Sequence, residues 1–210
     1  MKLLVVAATP FEIQPFISYA ETEKLIEHVE IEYLITGVGM VATAFALGRK
    51  LSTQTFDLAV NAGIAGAFDR TLQIGEVVVV KEDKLAELGA EDKEEFLSID
   101  DLGFGESRFY SSFNHQAWGM LKEVSAITVN KVHGCEASIR KTLQGLSPQI
   151  ETMEGAAFFY SCKQFNLPSI QLRSISNFVE PRNRESWNIP LAIKNLNEEL
   201  IQLIKQLSSI

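Results

Sequence analysis

The sequence predicts an α/β domain with a largely parallel central sheet. Short runs rich in apolar and β-branched residues recur along the chain, and segments with helical spacing lie between several of them. This alternation is typical of parallel sheets, whose strands are joined by helices. The 210 residues, 46% of them hydrophobic, are enough for one sizeable core and few for two. We therefore expect residues 1–210 to form one domain.

Six runs are predicted to be strands: Lys2–Ala8, Ile31–Thr36, Leu58–Asn61, Glu76–Lys81, Ile127–Val132 and Ser169–Ile175. The first lies in MKLLVVAATPFEIQPF, which could be mistaken for the apolar part of a signal peptide. Pro10 and Glu12 follow it at once, and no apolar stretch of the sequence has the length of a membrane span. We interpret this run as a buried strand.

Three segments are predicted to be helices. Val41–Leu51 and Glu154–Phe165 have helical spacing, and Pro190–Leu207 is clearly amphipathic, with leucine or isoleucine at steps of three and four. Pro190 would lie in the first turn, where a missing N–H costs nothing. The charged stretch Lys81–Gly105 is the least regular part of the chain, and we expect it to be an excursion or a mobile loop.

The composition excludes several classes of partner. The net charge is −8, from 27 acidic and 19 basic residues. An acidic surface repels phosphate groups, so we expect neither nucleic acid nor anionic membranes as partners. The two cysteines, Cys135 and Cys162, suit neither a disulfide framework nor a zinc site and are interpreted as reduced thiols of a cytoplasmic protein. Because no metal cluster or redox motif appears in the sequence, we expect no metal and no cofactor.

The predicted strands end in segments that should meet at one edge of the sheet, where open α/β sheets bind ligands. The first strand leads to Glu12, the second to GVGM, the third to NAGIAG and the last to Asn177. A predicted helix start adds Glu154. This edge therefore collects two carboxylates, two glycine loops and one amide.

Each of these features also has a structural explanation. Glu12 and Glu154 lie near helix starts, where a carboxylate complements the helix dipole. Asn177 could form a turn, and the glycines could serve tight turns without being a dinucleotide-binding motif. Taken together, they suit one type of reaction. One carboxylate can take a proton from water, a second can accept hydrogen bonds from sugar hydroxyls, and an amide can both donate to and accept from a heterocycle.

Four segments resemble the nucleoside phosphorylase and nucleosidase superfamily: AATPFEIQPF, TGVGMVATAFALG, NAGIAGAF with IGEVVVV, and ETMEGAAFFYSC with LPSIQLRSISN. They span nearly the whole chain in the order found in that family. The resemblance implies a three-layer fold with a mixed, largely parallel sheet flanked by helices. It also implies a homo-oligomer, for which we expect a dimer, and a small nucleoside as substrate.

Within the superfamily, the placement of Glu12 and of the Met153-Glu154 pair is similar to the nucleosidase branch, which includes methylthioadenosine/adenosylhomocysteine nucleosidase. That branch implies that Glu12 activates the hydrolytic water, that Glu154 binds the ribose hydroxyls and that residue 177 contacts the purine at N7. The other expected substrate-binding residues of these segments are Met153, Ile64, Ala65 and Gly66.

Two departures from the family pattern narrow the expected reaction. Phosphorylases of the superfamily carry arginines in the first and third strand loops, whereas here those loops read ATPFEIQ and NAGIAGAF and contain no basic residue, so water is the expected nucleophile. Adenine-specific nucleosidases have Asp where this chain has Asn177. An amide can donate to the O6 atom of a 6-oxopurine and accept from its protonated N7, and an unpaired buried group costs about 1–3 kcal/mol. Asn177 therefore points to a 6-oxopurine.

The stretch SNFVEPRNRESW resembles the signature of the futalosine hydrolase family. This resemblance implies release of hypoxanthine from futalosine in menaquinone biosynthesis. Futalosine carries a benzoate, which a guanidinium matches well, so Arg182 or Arg184 is expected to bind that end or to order the loop that does. The alternative is a structural ion pair of these arginines with Glu180, Glu185 or another carboxylate.

Three other functions remain open. They are an adenosine-type nucleosidase acting on methylthioadenosine, adenosylhomocysteine or aminodeoxyfutalosine, a purine nucleoside phosphorylase, and a nucleoside-binding protein on an inactive scaffold. Asn177 argues against the first, the missing loop arginines against the second, and the presence of Glu12 and Glu154 against the third. His133 lies near the expected base pocket and is interpreted as a loop histidine whose hydrogen bonds are satisfied.

Overall fold

The computed structural model describes residues 1–23, 29–93, 95–113 and 120–207. The strands are β1 (Lys2–Ala7), β2 (Glu30–Ile35), β3 (Leu58–Ala67), β4 (Val77–Leu85), β5 (Gly89–Asp92), β6 (Glu95–Ser98), β7 (Arg108–Tyr110), β8 (Lys122–Thr128), β9 (Ile150–Thr152) and β10 (Ser169–Phe178). The helices are α1 (Pro10–Glu23), α2 (Met40–Leu51), α3 (Glu136–Gly145), α4 (Gly155–Gln164) and α5 (Ile189–Leu207), and a 3₁₀ turn covers Arg184–Ser186.

Five strands form a closed ring within one mixed sheet. β3 pairs with β10, β10 with β4, β4 with β8, β8 with β9, and β9 again with β3. β1 and β2 extend the sheet from β3 in parallel, and β7 pairs with β4. Most of these pairs are parallel, so the predicted mixed, largely parallel sheet flanked by helices is confirmed.

The two faces of the sheet are covered by different helices. Successive residues of a strand point to opposite faces, and β1 is buried on both. Leu3 and Val5 belong to a buried cluster with residues of α1 and α5, whereas Leu4 and Val6 belong to a cluster with residues of α2 and α4. Helix, sheet and helix therefore form three layers. Among the described residues, no helix combines the length and apolar content needed to cross a membrane.

Three predicted elements differ from the structure. The strand expected at Ile127–Val132 is β8, which begins earlier, at Lys122, and ends at Thr128. The stretch Lys81–Gly105 is not an irregular loop in its described part, because β4 continues to Leu85 and β5 and β6 form an antiparallel hairpin. The predicted loop NAGIAG lies inside β3, because β10 pairs with β3 from Ala59 to Ala67 and continues the strand through the glycines.

Candidate active site

A cavity of about 470 Å³ opens where β1, β3, β9 and β10 end. Its size suits a small-molecule site. Eight of the nine expected site residues line it: Glu12, Ile64, Ala65, Gly66, Met153, Glu154, Asn177 and Arg182. The ninth, Arg184, lies outside the lining, exposed in the 3₁₀ turn. Of the two arginines between which the sequence left the choice open, Arg182 is the one that lines this cavity.

The Glu12 carboxylate is fixed by the start of α1. Pro10 occupies the first helical position, and the Glu12 Oε2 atom accepts hydrogen bonds from the Thr9 backbone N–H at 2.9 Å and from the Thr9 hydroxyl at 3.2 Å. A carboxylate three residues into a helix that accepts from the N–H just before it is half of a capping box. The side chain is buried, so Glu12 is held in one place instead of moving in solvent.

The second Glu12 oxygen, Oε1, accepts a hydrogen bond from a backbone N–H of β3 that lies in a gap in the strand pairing. β1 pairs with Leu58–Asn61 of β3 and β9 pairs with Gly66–Ala67, so among the described strands none pairs with the same edge of β3 at residues 62–65. The Ile64 N–H lies in this gap and donates to Glu12 Oε1 at 3.2 Å. The gap therefore frees backbone groups of β3 to face the cavity.

The Glu154 carboxylate links two helix starts. Glu154 immediately precedes α4, and its Oε1 atom accepts a hydrogen bond from the Gly39 N–H at 2.9 Å. Gly39 immediately precedes α2 and has a φ of 97°, which glycine adopts without strain. Burial raises the pKa of the Glu154 carboxyl, while the nearby Arg173 charge opposes the shift. The buried carboxylate of Glu12 and the half-buried carboxylate of Glu154 thus face one cavity.

Arg173, which the sequence reasoning missed, lies fully buried behind these carboxylates. Its Nη1 atom donates to Asn61 Oδ1 at 2.7 Å, and its charge acts on Glu12, Glu154 and Asp83. Burial lowers the pKa of the guanidinium, while the three carboxylates raise it. A buried positive charge among carboxylates offsets part of their mutual repulsion. The signal in the sequence was a lone arginine inside the apolar strand IQLRSIS.

A second buried polar group anchors the start of α4. Asp83 accepts hydrogen bonds from Thr128 Oγ1 at 2.8 Å and from Gln171 Nε2 at 3.2 Å, and the Ala156 N–H donates to Thr128 Oγ1 at 2.7 Å. Burial raises the pKa of Asp83 to about 7. This network fixes the first turn of α4 and hence the position of Glu154.

Asn177 reaches the cavity through a bulge in β10. The pairing with β3 shifts between Ile175 and Asn177, and such a bulge re-aims the side chains beside it. Asn177 Oδ1 accepts from the Ser176 hydroxyl at 2.8 Å, and Nδ2 donates to the Phe178 carbonyl at 2.9 Å. These contacts orient the amide and leave one N–H and one oxygen lone pair for a ligand.

Arg182 and Arg184 form no ion pair with a carboxylate in the part of the chain that the structure describes. Glu180, one of the carboxylates considered as a partner, pairs with Arg70 at 3.1 Å. The Arg182 guanidinium lies over the Trp187 ring at 5.3 Å, and both residues line the cavity. Arg182 therefore presents its charge at the cavity wall without a carboxylate partner among the described residues.

One further carboxylate of the lining was also missed. Glu151 is buried, and its Oε2 atom lies 2.5 Å from His133 Nδ1, while its Oε1 atom accepts from the His133 backbone N–H at 3.0 Å. The second His133 nitrogen, Nε2, lies 2.8 Å from Thr142 Oγ1. His133 does have satisfied hydrogen bonds, as expected, but it shares the cavity wall with Glu151.

The fold and this cavity define an α/β protein with a small-molecule site that combines buried carboxylates, an oriented amide and exposed backbone groups. The family model of the Phosphorylase superfamily matches residues 2–208. The chain belongs to that superfamily, which confirms the membership predicted from the four segments.

Two relatives from within this superfamily are similar to most of the chain. A futalosine hydrolase of Thermus thermophilus is 28% identical over 182 residues, which cover 83% of this chain and 81% of that protein. A futalosine hydrolase of Streptomyces coelicolor is 31% identical over 196 residues, which cover 85% of this chain and 80% of that protein.

Solved structures agree on the fold. A 5′-methylthioadenosine/S-adenosylhomocysteine nucleosidase of Helicobacter pylori has a TM-score of 0.80 at 14% identity, and each chain covers 98% of the other. A futalosine hydrolase of the same organism has a TM-score of 0.78 at 15% identity, again with 98% of each chain covered. At these identities the likeness speaks for the fold alone.

Proposed function

We propose that this chain hydrolyses the N-glycosidic bond of futalosine and releases hypoxanthine and dehypoxanthine futalosine, as a step of menaquinone biosynthesis. The observation that carries the proposal is that one cavity joins a buried carboxylate at Glu12 with an oriented amide at Asn177. The two relatives named futalosine hydrolase, similar over four fifths of their length, support the choice of substrate.

In this proposal Glu12 is the general base. It takes a proton from the water that attacks the anomeric carbon of the ribose, a role for which its carboxylate is held by Thr9 and Ile64. The reacting sugar develops positive charge, which Glu12 and Glu154 stabilise from a water-poor site. Glu154 also accepts hydrogen bonds from the ribose hydroxyls.

Asn177 holds the leaving base. Its remaining N–H donates to the 6-oxo group, and its remaining lone pair accepts from N7 when that atom is protonated. A purine with an amino group at C6 would place a donor against the amide N–H. The amide thus favours a 6-oxopurine over adenine, and this distinguishes the proposal from a methylthioadenosine, adenosylhomocysteine or aminodeoxyfutalosine nucleosidase.

Water is the proposed nucleophile because the segments after β1 and within β3 bring no basic side chain to the cavity. Arg173 lies behind the wall, engaged with Asn61. Arg182 is at the wall beside Trp187, where its charge suits the benzoate of futalosine. A phosphorylase would need a cation at the phosphate position, and this chain offers none in those two segments.

We further propose a single domain that works in the cytoplasm as a homodimer or higher homo-oligomer. The family match over nearly the whole chain supports one domain. Cys135 and Cys162 are free thiols, which suits a reducing compartment. Phe11, Val41 and Phe45 are exposed by 81%, 82% and 70%, and Phe11 lies at the cavity, so a neighbouring subunit could cover this apolar surface.

The experiment that tests the function is a substrate panel. The purified protein is incubated with futalosine, aminodeoxyfutalosine, methylthioadenosine and inosine, with and without phosphate, and the released base is identified by chromatography. We expect hypoxanthine from futalosine alone, at a rate that does not depend on phosphate. Release of adenine, or a requirement for phosphate, would refute the proposal.

A further inference from the structure

One buried asparagine of α5 is bound to the helical turn that carries Glu12. Asn197 is 2% exposed and follows Leu196, which belongs to the buried apolar cluster shared by α1, α5 and the sheet. The Asn197 Nδ2 atom donates to the Glu12 backbone carbonyl at 2.8 Å, and its Oδ1 atom accepts from the Phe16 backbone N–H at 2.8 Å. A polar side chain between two packed helices thus binds the backbone of α1 at two points.

The two backbone groups that Asn197 binds are a pair that a regular helix would join directly. In an α-helix the N–H of a residue donates to the carbonyl four positions earlier, so Phe16 would donate to Glu12. Pro15 lies inside α1 and has no N–H, so the bond from residue 15 to the Phe11 carbonyl is missing. Both a proline and an inserted side chain change the path of a helix locally. Asn197 therefore bridges α1 at the turn that Pro15 interrupts.

The orientation of the Asn197 amide is fixed by its partners. Its second N–H donates to the Ile193 carbonyl at 2.7 Å, so the amide nitrogen meets two carbonyl oxygens and the amide oxygen meets an N–H. Ile193 lines the cavity. The amide thus ties a turn of α5 at the cavity wall to the turn of α1 that carries Glu12.

The Glu12 residue is held at both of its ends. Its carboxylate accepts from Thr9, which immediately precedes α1, and from Ile64 of β3. Among the described residues, the bond from Ile64 is the only hydrogen bond that joins this carboxylate to another strand or helix. Asn197 adds a bond at the backbone end. Glu12 is therefore tied to β3 by its carboxylate and to α5 by its carbonyl.

We propose that Asn197 is a positioning residue for the reaction: it holds the turn of α1 from which Glu12 reaches the attacking water. The inference rests on the proposed function, in which Glu12 is the base. Without the amide, the Phe16 N–H and the Glu12 carbonyl would approach each other or bind a water molecule that enters between the helices. Either change moves the turn, and a displacement of about 1 Å at a reacting group can cost on the order of 10²-fold in rate.

The test is a double-variant cycle with futalosine as substrate. We expect Asn197→Ala to lower kcat by about 10- to 100-fold and to change KM by less than about threefold, because Asn197 does not line the cavity. Glu12→Gln removes the base, so in that background Asn197→Ala should lower the remaining kcat by less than about threefold. A residue that acts through Glu12 loses its effect once Glu12 cannot act, whereas damage to the fold lowers kcat by the same factor in both backgrounds.

The matched control is Asn195→Ala. Asn195 lies on the same helix, and its Nδ2 atom donates to the Gly75 carbonyl at 2.7 Å. This substitution removes a bond between α5 and another part of the chain but leaves the contact with α1 intact. We expect it to keep the kcat and KM of the unaltered protein.

A second variant covers the case in which Asn197→Ala does not fold. The hydroxyl of Asn197→Ser can still donate to the Ile193 carbonyl four positions earlier in the helix. It is too short to bind both Glu12 and Phe16, so this variant loses the bridge alone. We expect the same fall in kcat as for Asn197→Ala, and again none once Glu12 is replaced by glutamine.

The outcomes separate the inference from the proposed function. An unchanged kcat in Asn197→Ser, or equal losses with and without the Glu12 carboxylate, would overturn the inference while leaving futalosine hydrolysis intact. If the unaltered protein released no hypoxanthine from futalosine, or if Glu12→Gln kept full kcat, the proposed function itself would fail.

Discussion

Glu12 Oε1 accepts a hydrogen bond from the Ile64 backbone N–H at 3.2 Å, which joins the first helix to the third strand across 52 positions of the chain. The bond exists because β1 and β9 occupy different parts of one edge of β3 and leave Ile64 between them. The position of the proposed base is therefore set by the strand register of the sheet together with the hydrogen bonds from Thr9 at the start of α1.

The first prediction concerns the charge of Glu12. Glu12→Gln keeps the size and one acceptor oxygen but cannot take a proton from water, so we expect kcat on futalosine to fall by about 10²- to 10⁴-fold. KM should change little, because the substrate contacts remain. Steady-state kinetics would measure both. Glu21→Gln, the same change on the exposed side of α1, should behave like the unaltered protein. Comparable kcat in the two variants would exclude Glu12 as the base.

The second prediction concerns the space that Glu12 and Arg173 share. A β-carbon on Gly63 would lie 2.8 Å from Arg173 Nη1 and 2.9 Å from Glu12 Oε1, so Gly63→Ala must displace one of them. Since a displacement of about 1 Å in an active site can cost on the order of 10²-fold in rate, we expect kcat to fall by about 10- to 100-fold. Gly48→Ala, in α2 with no atom within 4 Å of the new carbon, should keep full activity. Full activity in Gly63→Ala would show that the position of Glu12 is not critical.

The third prediction concerns the base that leaves. In Asn177→Asp a carboxylate replaces the amide, accepts from a 6-amino group and repels a 6-oxo group. We expect the preference for futalosine over aminodeoxyfutalosine to shift toward the latter by about 10- to 100-fold, as measured by kcat/KM in parallel assays. A variant with reduced rates but an unchanged preference would mean that Asn177 does not contact the C6 substituent.

The fourth prediction separates two arginines that lie two positions apart. Arg182 lines the cavity and Arg184 does not. Arg182→Met should therefore lower kcat/KM on futalosine by about 10- to 100-fold, while its effect on the benzoate methyl ester of futalosine, which has lost the charge, should be much smaller. Arg184→Met is the matched control and should leave both substrates unaffected. Equal losses on the acid and the ester in Arg182→Met would refute recognition of the benzoate.

The fifth prediction concerns stability and pH. Burial raises the pKa of Asp83 from 3.8 to about 7, so folding favours its protonated form. The stability that comes from this proton is complete below about pH 4 and is lost as the pH rises to about 7. The asparagine of Asp83→Asn is neutral at every pH, so this variant does not lose stability as the pH rises. The new amide can also donate to Gln171 Oε1, which has no hydrogen-bond partner within the described part of the protein.

We would measure the free energy of unfolding of both proteins by urea denaturation. The value for Asp83→Asn minus the value for the unaltered protein should rise by about 1–2 kcal/mol between about pH 5.5 and pH 8. Asp101→Asn serves as the control. Hydrogen bonds from Ser98 lower the pKa of Asp101, so it titrates below this range and its substitution should give a difference that does not vary with pH. A constant difference for Asp83→Asn as well would contradict its raised pKa.

The sequence pattern located the site because the strands and the residues after them are adjacent in the chain. The run before Glu12 is buried on both faces of the sheet, and such runs are recognisable by their apolar residues alone. The extension of β3 through NAGIAG could not be predicted in this way. Glycine and alanine have little strand propensity, and the pairing comes from β10, more than a hundred positions away.

The charged residues inside the sheet were missed for a related reason. Arg173 interrupts an apolar run and Glu151 lies in a strand of only three residues, and the sequence does not reveal which residues surround them. Asn61, which binds Arg173, and His133, which binds Glu151, are brought to them by the closed ring of strands. Arg182 lines the cavity and Arg184 does not, because a 3₁₀ turn begins at Arg184. The spacing of the residues in the sequence does not indicate this turn.

The most direct test of the central claim is an internal competition in ¹⁸O-labelled water. Equal amounts of futalosine and aminodeoxyfutalosine are incubated with the protein in phosphate buffer, and the bases and sugars are identified by mass spectrometry. Attack by water on a 6-oxopurine nucleoside predicts hypoxanthine as the first base released and one ¹⁸O atom at the anomeric carbon of the sugar. Adenine as the first base, or an unlabelled sugar phosphate, would contradict the account.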